Sequence, residues 1–381
     1  MIMPHDARVA AKAPLDGVTR GKGRRDASHA AACGLVCGLA VLAGCATPPA
    51  GIGENVATLR TEFDGSRQKP VVASHQVYDS AFEDRILALD PRHITEQDVA
   101  LLALGPTPQI ILLHGGVYGT QFLMRSFAQF LIEMGYPEWK IRDPSDGAYS
   151  QNPLGSSERL AGEVAWYYER DGVRPMMVGH SQGGIQAVKV LYELNGAFAD
   201  KVAVWNAETD KAEDRDAIVD PLTHTRRPVV GVSLAYVSVV GAGGVALASP
   251  RHWTMAQRLH NIPDEVEEFT GFSIDYDPIA WTGADNGNLY RREGTAAVRN
   301  VTLPATYSHV FVPDTKALAE DPKVRDWLNG FVPGAENGQP PGADRSNNAL
   351  WAGDVWFSIK ARWCAEAQRL IRARRASVAT R

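Results

Sequence analysis

Short apolar runs alternating with amphipathic stretches predict an α/β chain: a mostly parallel sheet with helices on both faces. Three observations carry this. Gln109-Ile110-Ile111-Leu112-Leu113 and Pro175-Met176-Met177-Val178 are continuous apolar runs of strand length, as expected where both faces of a strand are covered. Leu123, Phe127, Phe130, Leu131 and Met134 recur at helical spacing before Gly135, which marks a core-facing helix and its stop. The run at 175–178 enters Gly179-His180-Ser181-Gln182-Gly183 and leaves into Gly184-Ile185-Gln186-Ala187-Val188, a strand–turn–helix with a serine at its apex.

In chain order, residues 1–30 carry Arg8, Lys12, Arg20, Lys22, Arg24 and Arg25, and an apolar stretch follows from Ala30 to Ala43. A basic segment, a short apolar segment and then small residues describe a secretory signal, too short for a comfortable membrane span. Residues 45–69 form a linker rich in Pro, Gly and charge. The first strand runs into His114-Gly115-Gly116, where glycines let backbone N–H groups approach a substrate oxygen. A second helix starts near Ser156-Ser157, carries Leu160, Val164 and Tyr167 on one face, and stops at Gly172.

Beyond the pentapeptide, Val202-Ala203-Val204-Trp205-Asn206 is expected as a strand, followed by a large insertion over about 207–270. Within it, 229–249 is almost wholly apolar. A membrane span there would put Ser181 and His309 on opposite sides of a bilayer. Two readings stay open: a buried strand with a packed helix, or a cap lining an acyl pocket. The last sheet strand is expected at 298–304, with Ser308-His309-Val310 shortly after it. A Gly/Pro/Asn-rich linker, 333–348, leads to a C-terminal basic amphipathic helix over 349–381. Trp356, Ile359, Trp363, Leu370 and Ile371 share its apolar face, while Lys360, Arg362, Arg369, Arg372, Arg374 and Arg375 mark its polar one. Such a helix docks on the body or lies on an anionic membrane, and docking is the commoner outcome.

Chemistry follows from Ser181 and His309. The tight turn lifts the Ser181 hydroxyl off a strand end, and the following helix aims its N-terminal amides at developing negative charge. His309 is the candidate base, because it follows a late strand end in the Ser…acid…His order. His224, His252 and His260 are expected to be ordinary surface or core residues. The amides of Gly116 and Gln182 are the candidate oxyanion donors.

The pentapeptide, His-Gly-Gly and the late histidine together resemble the α/β-hydrolase superfamily, on its lipase and esterase side, over roughly residues 70–332. The resemblance implies a Ser–acid–His triad at strand ends and no cofactor or metal. Asp277-Pro278-Ile279-Ala280 is similar to the turn that often holds the acid in that family, which puts Asp277 first, with Asp275, Glu208 and Asp210 as alternatives. Carboxylic ester hydrolysis through an acyl-enzyme on Ser181 is the expected activity. An acyltransferase or a non-catalytic binding lipoprotein on the same scaffold is the alternative.

Leu42-Ala43-Gly44-Cys45 resembles the lipobox of bacterial lipoproteins. That implies cleavage before Cys45, its lipidation, and a mature protein held at the bacterial cell envelope. Of the four cysteines, Cys33 and Cys37 would then be lost and Cys45 acylated, leaving Cys364 alone and no internal disulfide. The whole chain carries a net charge of −5, and removing residues 1–44 takes away more base than acid. Nothing in that balance points to nucleic acid. The expected partners are an ester substrate and a membrane.

Overall fold

The computed structural model describes residues 78–281, 289–342 and 348–379. The signal, the Cys45 lipobox and the 45–69 linker lie outside the described residues, as does part of the 333–348 linker. Five strands form the main sheet in sequence order, every pair parallel: β1 Ile110–Leu113, β2 Met176–His180, β3 Leu234–Val240, β4 Val266–Ile274 and β5 Ala297–Leu303. Alternating side chains feed two cores. Ile110, Leu112, Met176, Val178 and Val240 join one, while Ile111, Leu113, Met177, Val237 and Val239 join the other.

Helices α1 Ser80–Leu87, α2 Glu96–Leu102, α3 Thr120–Glu133, α6 Lys316–Glu320, α7 Pro322–Gly330 and α8 Ala349–Ala379 contribute to the first core. Helices α4 Ser157–Asp171 and α5 Gln182–Leu194 cover the other face. The expected helix signals act as read. Phe127, Phe130, Leu131 and Met134 are buried in or just beyond α3, and Gly135 turns the chain at φ +102°. The Ser156 hydroxyl accepts the Arg159 N–H to cap α4, and Gly172 ends it in the left-handed conformation.

The path between β1 and β2 sets the location of the site. The chain leaves β1 through α3 on one face and reaches the outer edge of the sheet, where Gln151 bridges Leu113 in parallel. Its N–H donates to Leu112 O at 2.8 Å. It then returns through α4 on the opposite face to β2. Crossovers that depart to opposite faces open a crevice at the carboxyl ends of neighbouring strands.

One expectation is corrected and one open reading is decided. Residues 202–206 do not enter the main sheet: Trp205–Asn206 pairs antiparallel with Lys211–Ala212 in a small ribbon, although Val202 and Val204 are fully buried. The stretch 229–249, left open between a cap and a buried strand, contains β3, the central strand, with all seven of its residues buried. The supposed insertion therefore supplies the middle of the sheet and the start of β4. A parallel strand buried on both faces is a bare apolar run, which periodicity cannot tell from a cap segment.

The C-terminal helix is likewise no separate element. Trp351, Trp356 and Trp363 are fully buried in the first core, with Trp351 4.6 Å from the Phe127 ring and Trp363 4.6 Å from that of Tyr136. The indole N–H of Trp363 donates to Pro106 O and that of Trp356 to Asn329 Oδ1. The basic residues are taken up in the protein itself. Lys360 Nζ donates to the Ile94 and Asn329 carbonyls, Arg362 pairs with Glu267 and Glu268, Arg369 with Glu366, and Arg375 with Glu83 and Asp84. The helix docks on the body. Cys364 is buried in it, its thiol pushed up to about 12 by burial. No helix among the described residues is long and apolar enough to cross a membrane.

Candidate active site

Four strand ends on the carboxyl side of the sheet converge on Ser181. This residue lies between β2 and α5 at φ 53°, ψ −121°, a conformation that a non-glycine residue holds only under constraint. The flanking glycines supply that constraint. A Cβ on Gly179 would lie 2.5 Å from Gly183 O, and one on Gly183 would lie 2.3 Å from Leu113 O. Neither position has room for any side chain, so the spacing of the pentapeptide is a packing requirement as well as a turn requirement.

His309 lies six residues beyond the end of β5, with Nε2 2.9 Å from Ser181 Oγ. Its Nδ1 lies 2.5 Å from Asp277 Oδ2. Asp277 follows β4 and is 3% exposed. Its other oxygen, Oδ1, accepts the N–H groups of Ile279 at 2.8 Å and Ala280 at 3.2 Å. Burial pushes the Asp277 carboxyl up, but the His309 hydrogen bond and charge and these two amides outweigh it and leave it below the ordinary carboxylate value. A carboxylate so held accepts the Nδ1 proton of His309 and leaves Nε2 as the acceptor facing Ser181.

None of the alternatives for the acid is bonded to His309. Asp275 donates its N–H to Leu303 O and is not hydrogen-bonded to His309, Glu208 pairs with Arg170, and Asp210 pairs with Arg159 at 2.8 Å. The Gln182 side chain packs on Gly116: a Cβ there would lie 1.8 Å from Gln182 Oε1. No acceptor among the described residues takes the N–H of either. Amides lacking partners, one of them next in the chain to Ser181, suit an oxygen that gains charge.

Two histidines without an expected role belong here. His180, inside the pentapeptide, is buried, and its Nε2–H donates to the His309 carbonyl at 2.6 Å. Burial, reinforced by the His309 charge, pushes it down to about 3, so the ring stays neutral and tethers the His309 loop to the elbow. Its place next to Ser181 was the available signal. His252, expected to be ordinary, is 1% exposed, and its Nε2 accepts from Gln182 Nε2–H at 2.8 Å. Burial, then Lys189 and Arg251, lower its pKa, and its buried Nδ1 has no partner. No local pattern marks it, because its partner is 70 residues away. His224 is exposed, and His260 is half-buried against Tyr290.

Among the described residues no three His, Cys, Asp or Glu side chains form a group able to hold a metal ion. No protein-family model matches the chain, and no curated protein matches it.

Proposed function

We propose that this protein is a serine hydrolase of the α/β-hydrolase kind that cleaves carboxylic esters through an acyl-enzyme. One observation carries the reading: the unbroken chain Ser181 Oγ, His309 Nε2, His309 Nδ1, Asp277 Oδ2, with the serine in a constrained turn. His309 takes the hydroxyl proton as Ser181 Oγ attacks the carbonyl carbon. The Gly116 and Gln182 amides receive the oxyanion, and Asp277 stabilises the imidazolium. Collapse of the tetrahedral adduct breaks the bond to the alkoxy oxygen, and His309 returns the proton to the departing alcohol. The same histidine then activates a water, which releases the acid and restores Ser181.

Exposed apolar side chains close in sequence to the site residues support an acyl or lipid-type substrate. Tyr118 is 85% exposed just after Gly116, Tyr276 is 68% exposed beside Asp277, Phe311 is 56% exposed two residues after His309, and Trp253 is 64% exposed beside His252. The proposal includes the N-terminal reading, in which lipidated Cys45 holds the enzyme at the cell envelope. Several acyl chains together anchor stably where one does not.

A serine-reactive phosphonate should label wild-type protein at Ser181 and leave Ser181→Ala unlabelled. Product analysis on a panel of esters should find free acid. A new ester or amide instead would make the protein an acyltransferase, and absence of labelling would leave a binding protein. Mass spectrometry of the mature chain should find Cys45 at its start, carrying lipid. An unlipidated start elsewhere would overturn the anchor.

A further inference from the structure

Beside the oxyanion loop, between the first turn of α4 and the second turn of α5, lies a hollow of about 310 Å³ that the proposed chemistry does not use. Its size is at the lower end of small-molecule sites. Its wall is polar: Ser157, Gln186, Lys189, Glu193, Arg251 and His252 all face it. His252 also holds the Gln182 side chain, so the hollow begins one side chain from the oxyanion donors.

The lining divides into groups already satisfied and groups that are not. Ser157 Oγ donates to Glu193 Oε1 at 2.6 Å, and Gln186 Nε2 donates to Gly155 O at 2.9 Å. Arg251 spends one nitrogen on Leu154 O across the mouth. Neither Lys189 nor Arg251 has a carboxylate within 4 Å among the described residues. His252, with Nε2 already accepting from Gln182, carries its proton on the buried, unpartnered Nδ1. The unpaired cations Lys189 and Arg251 share the lining with two carboxylates, Glu158 and Glu193, the second held through one oxygen by Ser157. An alkyl chain placed here would strip water from them and return nothing, whereas an oxyanion would pair with both cations.

We propose that the hollow binds an anionic group, carboxylate or phosphate, on the alcohol part of the ester, with Lys189 and Arg251 supplying the charge. The inference rests on the reading of Ser181 as nucleophile and assigns the acyl chain to the apolar side of the site. The substrate class is then an amphiphilic ester with a small anionic head.

The test uses a matched pair, the butyryl esters of glycerol and of glycerol 3-phosphate. In wild-type protein kcat/KM should be about tenfold or more higher for the phosphorylated ester, and added salt should shrink that ratio. In Lys189→Gln/Arg251→Gln the ratio should fall to near one. If that double variant does not fold, Lys189→Gln alone should lower the ratio severalfold. The butyryl ester of glycerate, with a carboxylate for the phosphate, tells which oxyanion is preferred, and preference for either over the glycerol ester supports the site. A wild-type ratio of one or less, or an unchanged ratio in the variants, overturns it. Titration of glycerol 3-phosphate into Ser181→Ala by calorimetry reads the hollow without turnover. Binding lost in the cation variants supports the site, and no binding overturns it. If neither ester is hydrolysed the nucleophile reading fails, and the titration still decides the hollow.

Discussion

The layer built around α8 and the carboxyl edge of the sheet obey opposite rules. Along α8, Trp351, Val355, Ile359 and Trp363 recur every four residues and are all fully buried. Roughly a quarter-turn away, Asp354, Ser358, Arg362 and Glu366 recur with the same step, and each is partnered. Arg299 bonds Asp354 at 2.6 Å, Ser358 Oγ donates to Glu268 at 2.9 Å, Arg362 Nε donates to Glu268 at 2.6 Å, and Arg174 and Arg369 hold Glu366. At the sheet edge, by contrast, apolar rings stand in water, two amides lack acceptors, His180 and His252 each keep an unpartnered nitrogen, and Ser181 is strained. The Trp351 indole N–H is an isolated unpaired group on α8, whereas the unpaired groups at the sheet edge cluster around one strained serine, as expected where something else supplies the partner. The contrast is the physical case for a site at that edge.

The sharpest way to break the contrast is to change each side separately. Asp277→Asn should lower kcat about 10⁴-fold by leaving His309 in the wrong tautomer, with little change in melting temperature. Asp275→Asn should leave ester turnover within a few-fold of wild type. The reverse ranking in steady-state hydrolysis would move the acid and with it the reading of the β4 loop.

Stability should respond to the other region. Val239→Asp puts a charge into β3 at a position with no exposure, and should cost several kcal/mol and impair short and long acyl esters alike. Long-chain loss with an unchanged melting temperature would contradict the placement of β3 in the core. Trp363→Ala should cost about 3–5 kcal/mol in denaturant unfolding while the folded fraction keeps wild-type kcat. A loss of kcat without a loss of stability would tie α8 to the chemistry.

The smallest effect concerns Glu163, on α4, which is fully buried against Gln151 and Arg159 at the edge of β1. Burial, against the opposing pull of Arg159 and Gln151, pushes its carboxyl up to about 7. With the folded value above the unfolded one, the unfolded state loses its proton first. Stability is therefore fully present below about 4.5 and is lost as pH rises through about 7, by at most about 3 kcal/mol. Melting temperatures across that range should fall in wild-type protein and stay flatter in Glu163→Gln. Equal slopes would place the titrating group elsewhere.

Local chemistry made much of the site legible. The elbow could be read from Gly179, Ser181 and Gly183 because each glycine answers a contact within a few residues or with the neighbouring strand. The α3 and α4 helices could be read because helical period, cap and stop all lie inside one segment. His309 and Asp277 were reachable only as strand-end candidates in the right order, since nothing local joins residues 32 apart.

What the amino-acid order determined by itself was the set of elements whose signals are short-range: caps, stops, the strained turn and the amphipathic face of α8. Tertiary structure alone decided that 234–240 is the central strand while 202–206 stays outside the main sheet, since an apolar run carries no record of its hydrogen-bonding partner. It alone chose Asp277 over Asp275, two residues away, by burying the Asp277 carboxylate against His309 and leaving Asp275 partly exposed. It alone set the arginines of α8 against carboxylates of other elements, and seated His252 against Gln182. Pairing across long loops is settled by which groups must share one buried volume, and that volume exists only once the chain has folded.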